Sequence, residues 1–111
     1  MVLDMTSHAD RLFKALADPT RRAIFERLAR DGDQTVHALT VRAGVSQPMV
    51  SKHLSALKRA RLVRHRRKGR ETHYSARQEA LAPLADWVGS YGAFWQNKLD
   101  RLGDVLERMD K

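Results

Sequence analysis

The sequence predicts a mainly helical domain with one β-hairpin, and three observations support this fold class. Apolar residues recur at three- and four-residue spacings along most of the 111-residue chain, which is typical of amphipathic helices. Two short runs with β-branched and aromatic residues, 62–66 and 71–75, flank a Lys-Gly turn and predict the hairpin. The chain contains no cysteine, and its length fits a single domain, residues 1–111, without disulfides.

The first two predicted helices meet at a proline. The first begins near Ser7 and ends before Pro19, because a residue that precedes proline is pushed out of the helical region. Asp18 can then cap the second helix, with Pro19 at its first position. This helix runs to about Arg30. We therefore expect the first helix to stop at residues 17–20 and the second to begin there.

The next two predicted helices are short and are separated by an Ala-Gly-Val-Ser turn. Thr35 caps the third helix and Ser46 caps the fourth. Gly44 lies in the turn, which we expect to need a positive φ that glycine adopts without steric cost. Two helices joined in this way form a helix-turn-helix, over about residues 35–60. The hairpin, over about residues 61–76, follows directly and has the position of a wing.

A fifth and last helix is predicted over about residues 83–109, and it is apolar along its whole length. At 1.5 Å per residue it would be about 40 Å long, longer than a body of this size can cover. A second copy of the chain is the simplest cover for the apolar surface. The residues predicted to form this dimer interface are Leu12, Leu84, Trp87, Val88, Tyr91, Trp95, Leu99, Leu102 and Leu106.

Three glycines interrupt the last helix, and they leave two interpretations open. Gly89, Gly92 and Gly103 each cost about 1 kcal/mol relative to alanine in a helix. They either let the helices of two subunits approach closely or leave a small apolar pocket beside Trp87 and Trp95. Close packing is the simpler interpretation; the pocket would take an unidentified small-molecule effector.

Positive charge is concentrated in one segment of the chain. The net charge is +8, yet residues 52–77 alone hold ten lysines and arginines against the single acid Glu71. Such a concentration repels itself and requires a polyanionic partner. Double-stranded DNA is the first candidate and an anionic membrane surface the second. No apolar run reaches the ~20 residues of a membrane span, so we expect no membrane partner and a cytoplasmic location.

Polar and basic side chains of the fourth helix and the wing are the candidate DNA contacts. Gln47 is the first candidate for reading a base edge, because its amide both donates and accepts. His53 is either a DNA contact or a local hydrogen-bonding residue. Two arginines open the second helix, where cations oppose the helix dipole. The candidate contacts are Arg21, Arg22, Ser46, Gln47, Pro48, Met49, Ser51, Lys52, His53, Lys58, Arg64, Arg66, Arg67, Lys68 and Arg70.

Three segments together resemble the ArsR-type winged helix-turn-helix repressors. They are ALADPTRR at residues 15–22, GVSQPMVSKHL at residues 44–54, and Leu62-Val63 followed by the basic wing. The similarity covers roughly residues 8–77. The resemblance implies a homodimer paired through the first and last helices. It also implies operator binding that blocks transcription, often of the repressor's own operon.

The sequence departs from the family pattern at the positions that bind metals in some members. The third helix, residues 36–42, has no cysteine where metal-sensing members carry one, and no histidine follows His73. We therefore expect no metal site and no cofactor. A further departure is Arg61, at a position that is often glycine in relatives. The left-handed position at the end of the fourth helix is therefore either strained by a side chain or built differently.

Together these features predict a sequence-specific DNA-binding repressor that binds a palindromic operator as a homodimer. We expect it to be autoregulatory and independent of metal. The alternative is a winged-helix module for protein–protein interaction, which would not need so concentrated a positive charge. An enzyme is not predicted, since the chain has no phosphate-cradling glycine loop and no nucleophile–base pairing.

Overall fold

The computed structural model describes residues 2–109, with side chains from His8 onward except that of Trp95. Helices fill most of this range, and a small antiparallel sheet has one short strand before the third helix and a hairpin after the fourth. In chain order the elements are α1 (Val2–Ala17), α2 (Pro19–Asp31), β1 (Gln34–Thr35), α3 (Val36–Ala43), α4 (Gln47–Arg59), β2 (Val63–Lys68), β3 (Glu71–Ala76), a 3-10 turn (Gln78–Leu81), α5 (Ala82–Gly89) and α6 (Gly92–Met109).

The predicted capping residues begin the second, third and fourth helices. Asp18, Thr35 and Ser46 each accept a hydrogen bond from the backbone N–H three residues on, at 3.0, 3.1 and 3.3 Å. These bonds satisfy donors that a helix start otherwise leaves unpaired. Gly44, between α3 and α4, has φ 71°, which confirms the predicted left-handed turn. The helix-turn-helix is therefore specified by local chemistry at both of its helix starts.

The hydrophobic core joins α1, α2, α3, α4 and the start of β2. The predicted apolar stripe of α4, Val50, Leu54 and Leu57, is completely buried in it. Leu12 of α1 is also completely buried, so its side chain has no surface to offer a second copy. The prediction of Leu12 as a dimer contact is therefore wrong. Leu84 of α5 is partly buried against the same core.

The wing is the hairpin of β2 and β3, whose register runs from Val63 opposite Ala76 to Lys68 opposite Glu71. Its two-residue turn begins with Gly69, whose φ of 67° suits the turns that join tightly paired strands. The sheet has a third strand, β1, in the order β1-β3-β2. Sequence patterning missed β1 because two residues carry no periodicity, and its ladder partners lie far away on β3.

The predicted fifth helix is divided into α5 and α6. The described part of the chain therefore has six α-helices, and the prediction of five helices is wrong. The division falls between Gly89 and Gly92, residues with low helix propensity. There the hydroxyl of Ser90 donates to the carbonyl of Trp87 at 2.6 Å. The Ser90 backbone N–H also reaches that carbonyl, at 3.2 Å. Competition of this kind between a side chain and the helix ladder favours a turn.

The apolar face of α5 and α6 is exposed in the single chain. Trp87, Val88 and Tyr91 are 46–52% exposed, and Leu99, Leu102 and Leu106 are 54–61% exposed. Trp95, also predicted as a dimer contact, lies outside the described side chains. None of the described helices is both long enough and apolar enough to span a membrane.

Arg61 is the only non-glycine residue with positive φ in the described part of the chain, at 62°. It follows α4 and its N–H donates to the carbonyl of Lys58 at 2.9 Å, which tightens the helix end. Of the two alternatives for this position, the structure therefore shows the strained left-handed backbone and not a differently built turn. A left-handed residue with a Cβ costs roughly 1–2 kcal/mol, a cost that glycine avoids.

We predict that Arg61→Gly increases the free energy of unfolding by about 0.5–1 kcal/mol, since relief of the strain exceeds the entropy that glycine adds to the unfolded chain. Urea denaturation at one fixed protein concentration measures the change. The control, Lys52→Gly, changes an exposed residue inside α4 and should lower stability by about 0.5–1 kcal/mol. Equal losses in both variants would contradict the strain at Arg61.

Candidate nucleic-acid interface

The first turns of α4 present an exposed polar surface. Burial of Val50, Leu54 and Leu57 fixes the rotation of the helix and turns the opposite side outward. Most of the predicted contact residues lie on this outward surface. Those exposed to solvent are Ser46, Gln47, Pro48, Met49, Ser51 and Lys52.

His53 is not part of this surface, because it is only 7% exposed and lies on the core side of α4. This burial argues against the prediction of His53 as a DNA contact and favours the local hydrogen-bonding alternative. The Nε of Arg21 donates to its Nδ1 at 3.4 Å. A second Arg21 nitrogen, Nη1, reaches the carbonyl of Ala15 at 3.5 Å. Arg21 thus connects α1, α2 and α4, and only part of it remains exposed.

Asp18 supports the same junction. The backbone N–H of Arg21 donates to its carboxylate and, with smaller contributions from His53 and the Arg21 guanidinium, holds the pKa of Asp18 below its ordinary value. The stabilisation from this carboxylate is therefore complete above the ordinary aspartate pKa and is lost as the pH falls through the lowered value. The neighbouring Arg22 is exposed, and its Nη1 donates to the carbonyl of Leu16 at 2.8 Å.

Two cations near the base of the wing pair with acids from other elements. Arg64 contacts Glu79 at 2.8 Å, and Arg66 contacts Asp33 at 3.6 Å. A backbone N–H, and then the charges of Arg64 and Arg77, lower the pKa of Glu79. Sequence inspection missed both acids because they lie 15 and 33 residues from their partners.

The tip of the wing differs from its base. Arg67, Lys68 and Arg70 are exposed, and among the described side chains none of them forms an ion pair with a carboxylate within 4.0 Å. Lys58, at the end of α4, lies 3.4 Å from the Nε2 of His65 on β2. The structure therefore divides the predicted wing cations into paired side chains near the base and unpaired side chains at the tip.

The exposed polar surface at the start of α4 and the wing both border one cleft. Gln47 lines it from α4, Arg70 and Thr72 line it from the wing, and His37 lines it from α3. The volume of the cleft is about 240 Å³. The structure thus brings the predicted base-reading residue and one tip cation to the same face. In the part of the chain that is described, no three His, Asp or Glu side chains are grouped closely enough to hold a metal ion.

These elements define a winged helix-turn-helix protein, and comparison with known proteins agrees. A protein-family model described as a helix-turn-helix domain matches residues 16–66 of this chain. An HTH-type transcriptional regulator of Mycobacterium tuberculosis is 41% identical to this protein in an alignment that covers 88% of this chain and 88% of the regulator's length. The transcriptional repressor SdpR of Bacillus subtilis is 35% identical over 71% of this chain and 87% of its own.

A solved structure extends the similarity to the fold. It is the homodimeric winged helix-turn-helix DNA-binding domain of a possible ArsR-family regulator from Mycobacterium bovis, determined by NMR. The two chains are 31% identical and superpose with a TM-score of 0.66, over 81% of this chain and 82% of the other. The protein belongs to the ArsR family of transcriptional regulators.

We predict that His53→Leu lowers the free energy of unfolding by about 1 kcal/mol, because Arg21 loses its acceptor. His53→Gln offers a replacement acceptor and should retain most of the stability. Urea denaturation measures this difference. In both variants the ratio of affinities for specific and random DNA should be unchanged. A shift in preference at one base pair, without loss of stability, would restore His53 as a contact.

Proposed function

We propose that the protein is a transcriptional repressor that binds a palindromic operator as a homodimer, controls its own operon and needs no metal. The observation that carries this proposal is the shared face of the α4 N-terminus and the basic wing. Short polar side chains at the start of a helix can enter the major groove, while cations beside them bind phosphates. The cytoplasm is the compartment in which we expect this activity.

Different residues supply base recognition and backbone affinity in this proposal. Gln47 reads a base edge, since its amide matches the donor and acceptor of adenine. Ser46 and Ser51 contact phosphates or either type of base. The wing-tip cations Arg67 and Arg70 bind phosphates or the minor groove beside the site. The absence of cysteine from the chain supports independence from thiolate-bound metals.

The homodimer follows from the exposed apolar face of α5 and α6. A monomer rarely exposes a long apolar face, and a two-fold axis lets the same face cover itself. The homodimeric relative of Mycobacterium bovis supports the same assembly. Two recognition helices related by the axis would enter successive major grooves, about 34 Å apart, and this spacing requires an operator with two half-sites.

We predict that Gln47→Ala and Arg67→Ala weaken binding in different ways. Gln47→Ala should cost about 1–3 kcal/mol on the operator and relax the preference at one base pair of each half-site. Arg67→Ala should weaken operator and random duplex alike and reduce the salt slope by about one. Fluorescence anisotropy with the protein's own upstream DNA, with and without a chelator, measures both effects.

Three outcomes of this experiment would contradict the proposal. Equal losses on operator and random DNA for Gln47→Ala would remove its role in base reading. Weak, equal binding of the unaltered protein to both duplexes would favour a protein-interaction module instead. Sensitivity to the chelator would contradict independence from metal.

We predict that Leu102→Asp makes the protein monomeric, because a buried aspartate in an apolar dimer interface would be unpaired. Operator affinity should then fall, since one half-site is bound at a time. Analytical ultracentrifugation gives the mass in solution. The matched control is Val41→Asp, which changes a 70% exposed side chain on α3 and should leave the dimer intact. A dimeric Leu102→Asp protein would place the interface elsewhere.

A further inference from the structure

A basic cleft lies between α1, the start of α2 and the C-terminal end of α4. It consists of two adjoining cavities, with volumes of about 370 and 170 Å³. Both cavities are lined by Arg11, Arg59 and Ala60, and we call the two together the α1–α4 cleft. Ala15, Ala56 and Ala60 also line it, and their short side chains leave room between the longer ones.

The charged side chains that line the α1–α4 cleft are all basic. None of its lining residues is an acid, and within the described range none of its lysines or arginines has a carboxylate partner within 4.0 Å. Side chains of one sign repel one another across such a space, and a bound anion relieves the repulsion. The titratable residues that line the cleft are His8, Arg11, Lys14, Arg21, Arg59 and Arg61.

The strained backbone of Arg61 is an independent indication of a site. Glycine would fit this left-handed position at lower cost, yet an arginine occupies it and its side chain lines the cleft. Strain that is maintained at one residue is typical of functional sites, where the side chain has a use that offsets it. The use available to Arg61 here is to add a guanidinium to the wall of the cleft.

The location of the α1–α4 cleft separates it from both proposed interfaces. On α1, Arg11 lies about 160° around the helix from Phe13, whose ring packs on Trp87 beside the proposed dimer face. On α4, Arg59 lies twelve residues, about 18 Å, beyond Gln47. No residue of α5, of α6 or of the start of α4 lines the cleft. This arrangement favours a small ligand over the DNA backbone.

We propose that the α1–α4 cleft binds a small phosphate-bearing anion that acts as an effector of the repressor. Guanidinium groups bind phosphate oxygens in pairs of parallel hydrogen bonds, and several of them suit a ligand with two or more negative charges. The volume of the larger cavity falls within the range of small-molecule sites, about 300–1,000 Å³. A diphosphate group therefore matches the cleft in both charge and size.

Arg21 connects the α1–α4 cleft to the recognition helix. Arg21 lines the cleft, and the Nε of its guanidinium donates to His53, which is buried in α4. An anion that attracts Arg21 would weaken this hydrogen bond and loosen α2 from α4, so occupancy lowers operator affinity. This regulatory step depends on the proposed repressor function, whereas binding of the anion does not.

The test of binding uses inorganic pyrophosphate and the full chain without DNA. Isothermal titration at constant ionic strength compares the unaltered protein with Arg11→Ala/Arg59→Ala and with Arg61→Gly. We expect each variant to bind pyrophosphate at least about tenfold more weakly, the loss of one or more charge-assisted hydrogen bonds. The matched control, Arg67→Ala/Lys68→Ala, removes two cations from the wing tip and should bind within about twofold of the unaltered protein.

Urea denaturation shows whether each variant is folded, and Arg61→Gly is the decisive variant because it should be more stable while binding more weakly. Equal losses in the wing-tip control would show general attraction to a basic surface and overturn the site. No binding by the unaltered protein would overturn it as well. Weaker binding of random duplex by Arg11→Ala/Arg59→Ala, with no pyrophosphate binding by any protein, would identify the cleft as a DNA contact.

The regulatory step has a separate measurement. Pyrophosphate at constant ionic strength should lower operator affinity of the unaltered protein about tenfold and leave that of Arg11→Ala/Arg59→Ala unchanged. Binding of pyrophosphate with no effect on a specific operator complex would overturn the coupling through Arg21. If the protein shows no preference for any operator, the repressor proposal fails, and the titration without DNA still decides whether the cleft binds the anion.

Discussion

The burial of one apolar stripe on α4 determines what the rest of the molecule can do. Val50, Leu54 and Leu57 are completely buried, and each such side chain contributes about 1.5–3 kcal/mol. Because the three lie on one side of the helix, they fix its rotation about its own axis. The exposed start of α4, the position of the wing and the burial of His53 all follow from that rotation. A different rotation would bury Gln47.

Local sequence signals predicted the scaffold well, because their causes lie within a few residues. Asp18 and Ser46 cap their helices by accepting from the N–H three residues on. Gly44 is required because its own backbone has a positive φ. The features that were missed depend on distant partners. His53 is an ordinary polar residue in the sequence, and its burial depends on Arg21 from another helix. The α1–α4 cleft combines three helices that no single motif connects.

The positive charge of the wing serves two different purposes. Arg64 and Arg66 lie near the base and pair with Glu79 and Asp33. Exposed pairs of this kind contribute little stability, but here they connect β2 to segments outside the hairpin. They therefore restrict the orientation of the wing. The tip cations lack such partners in the described structure and are available to a duplex, so composition alone overestimates how many of the ten basic residues can bind DNA.

A chain of contacts joins the proposed dimer face to the proposed DNA face through α1. The ring of Phe13 packs edge-on against Trp87 of α5, with ring centroids 5.5 Å apart. The other side of α1 provides a carbonyl to Arg21, which in turn donates to His53 of α4. A displacement of α1 would therefore alter the contact of Phe13 with Trp87 and the hydrogen bond of Arg21 to His53 at the same time. The break between α5 and α6 leaves the short α5 to pack with α1, while the apolar face of α6 stays exposed and is available to the proposed second copy. Regulation of DNA binding by a ligand beside α1 needs no contact between that ligand and the DNA.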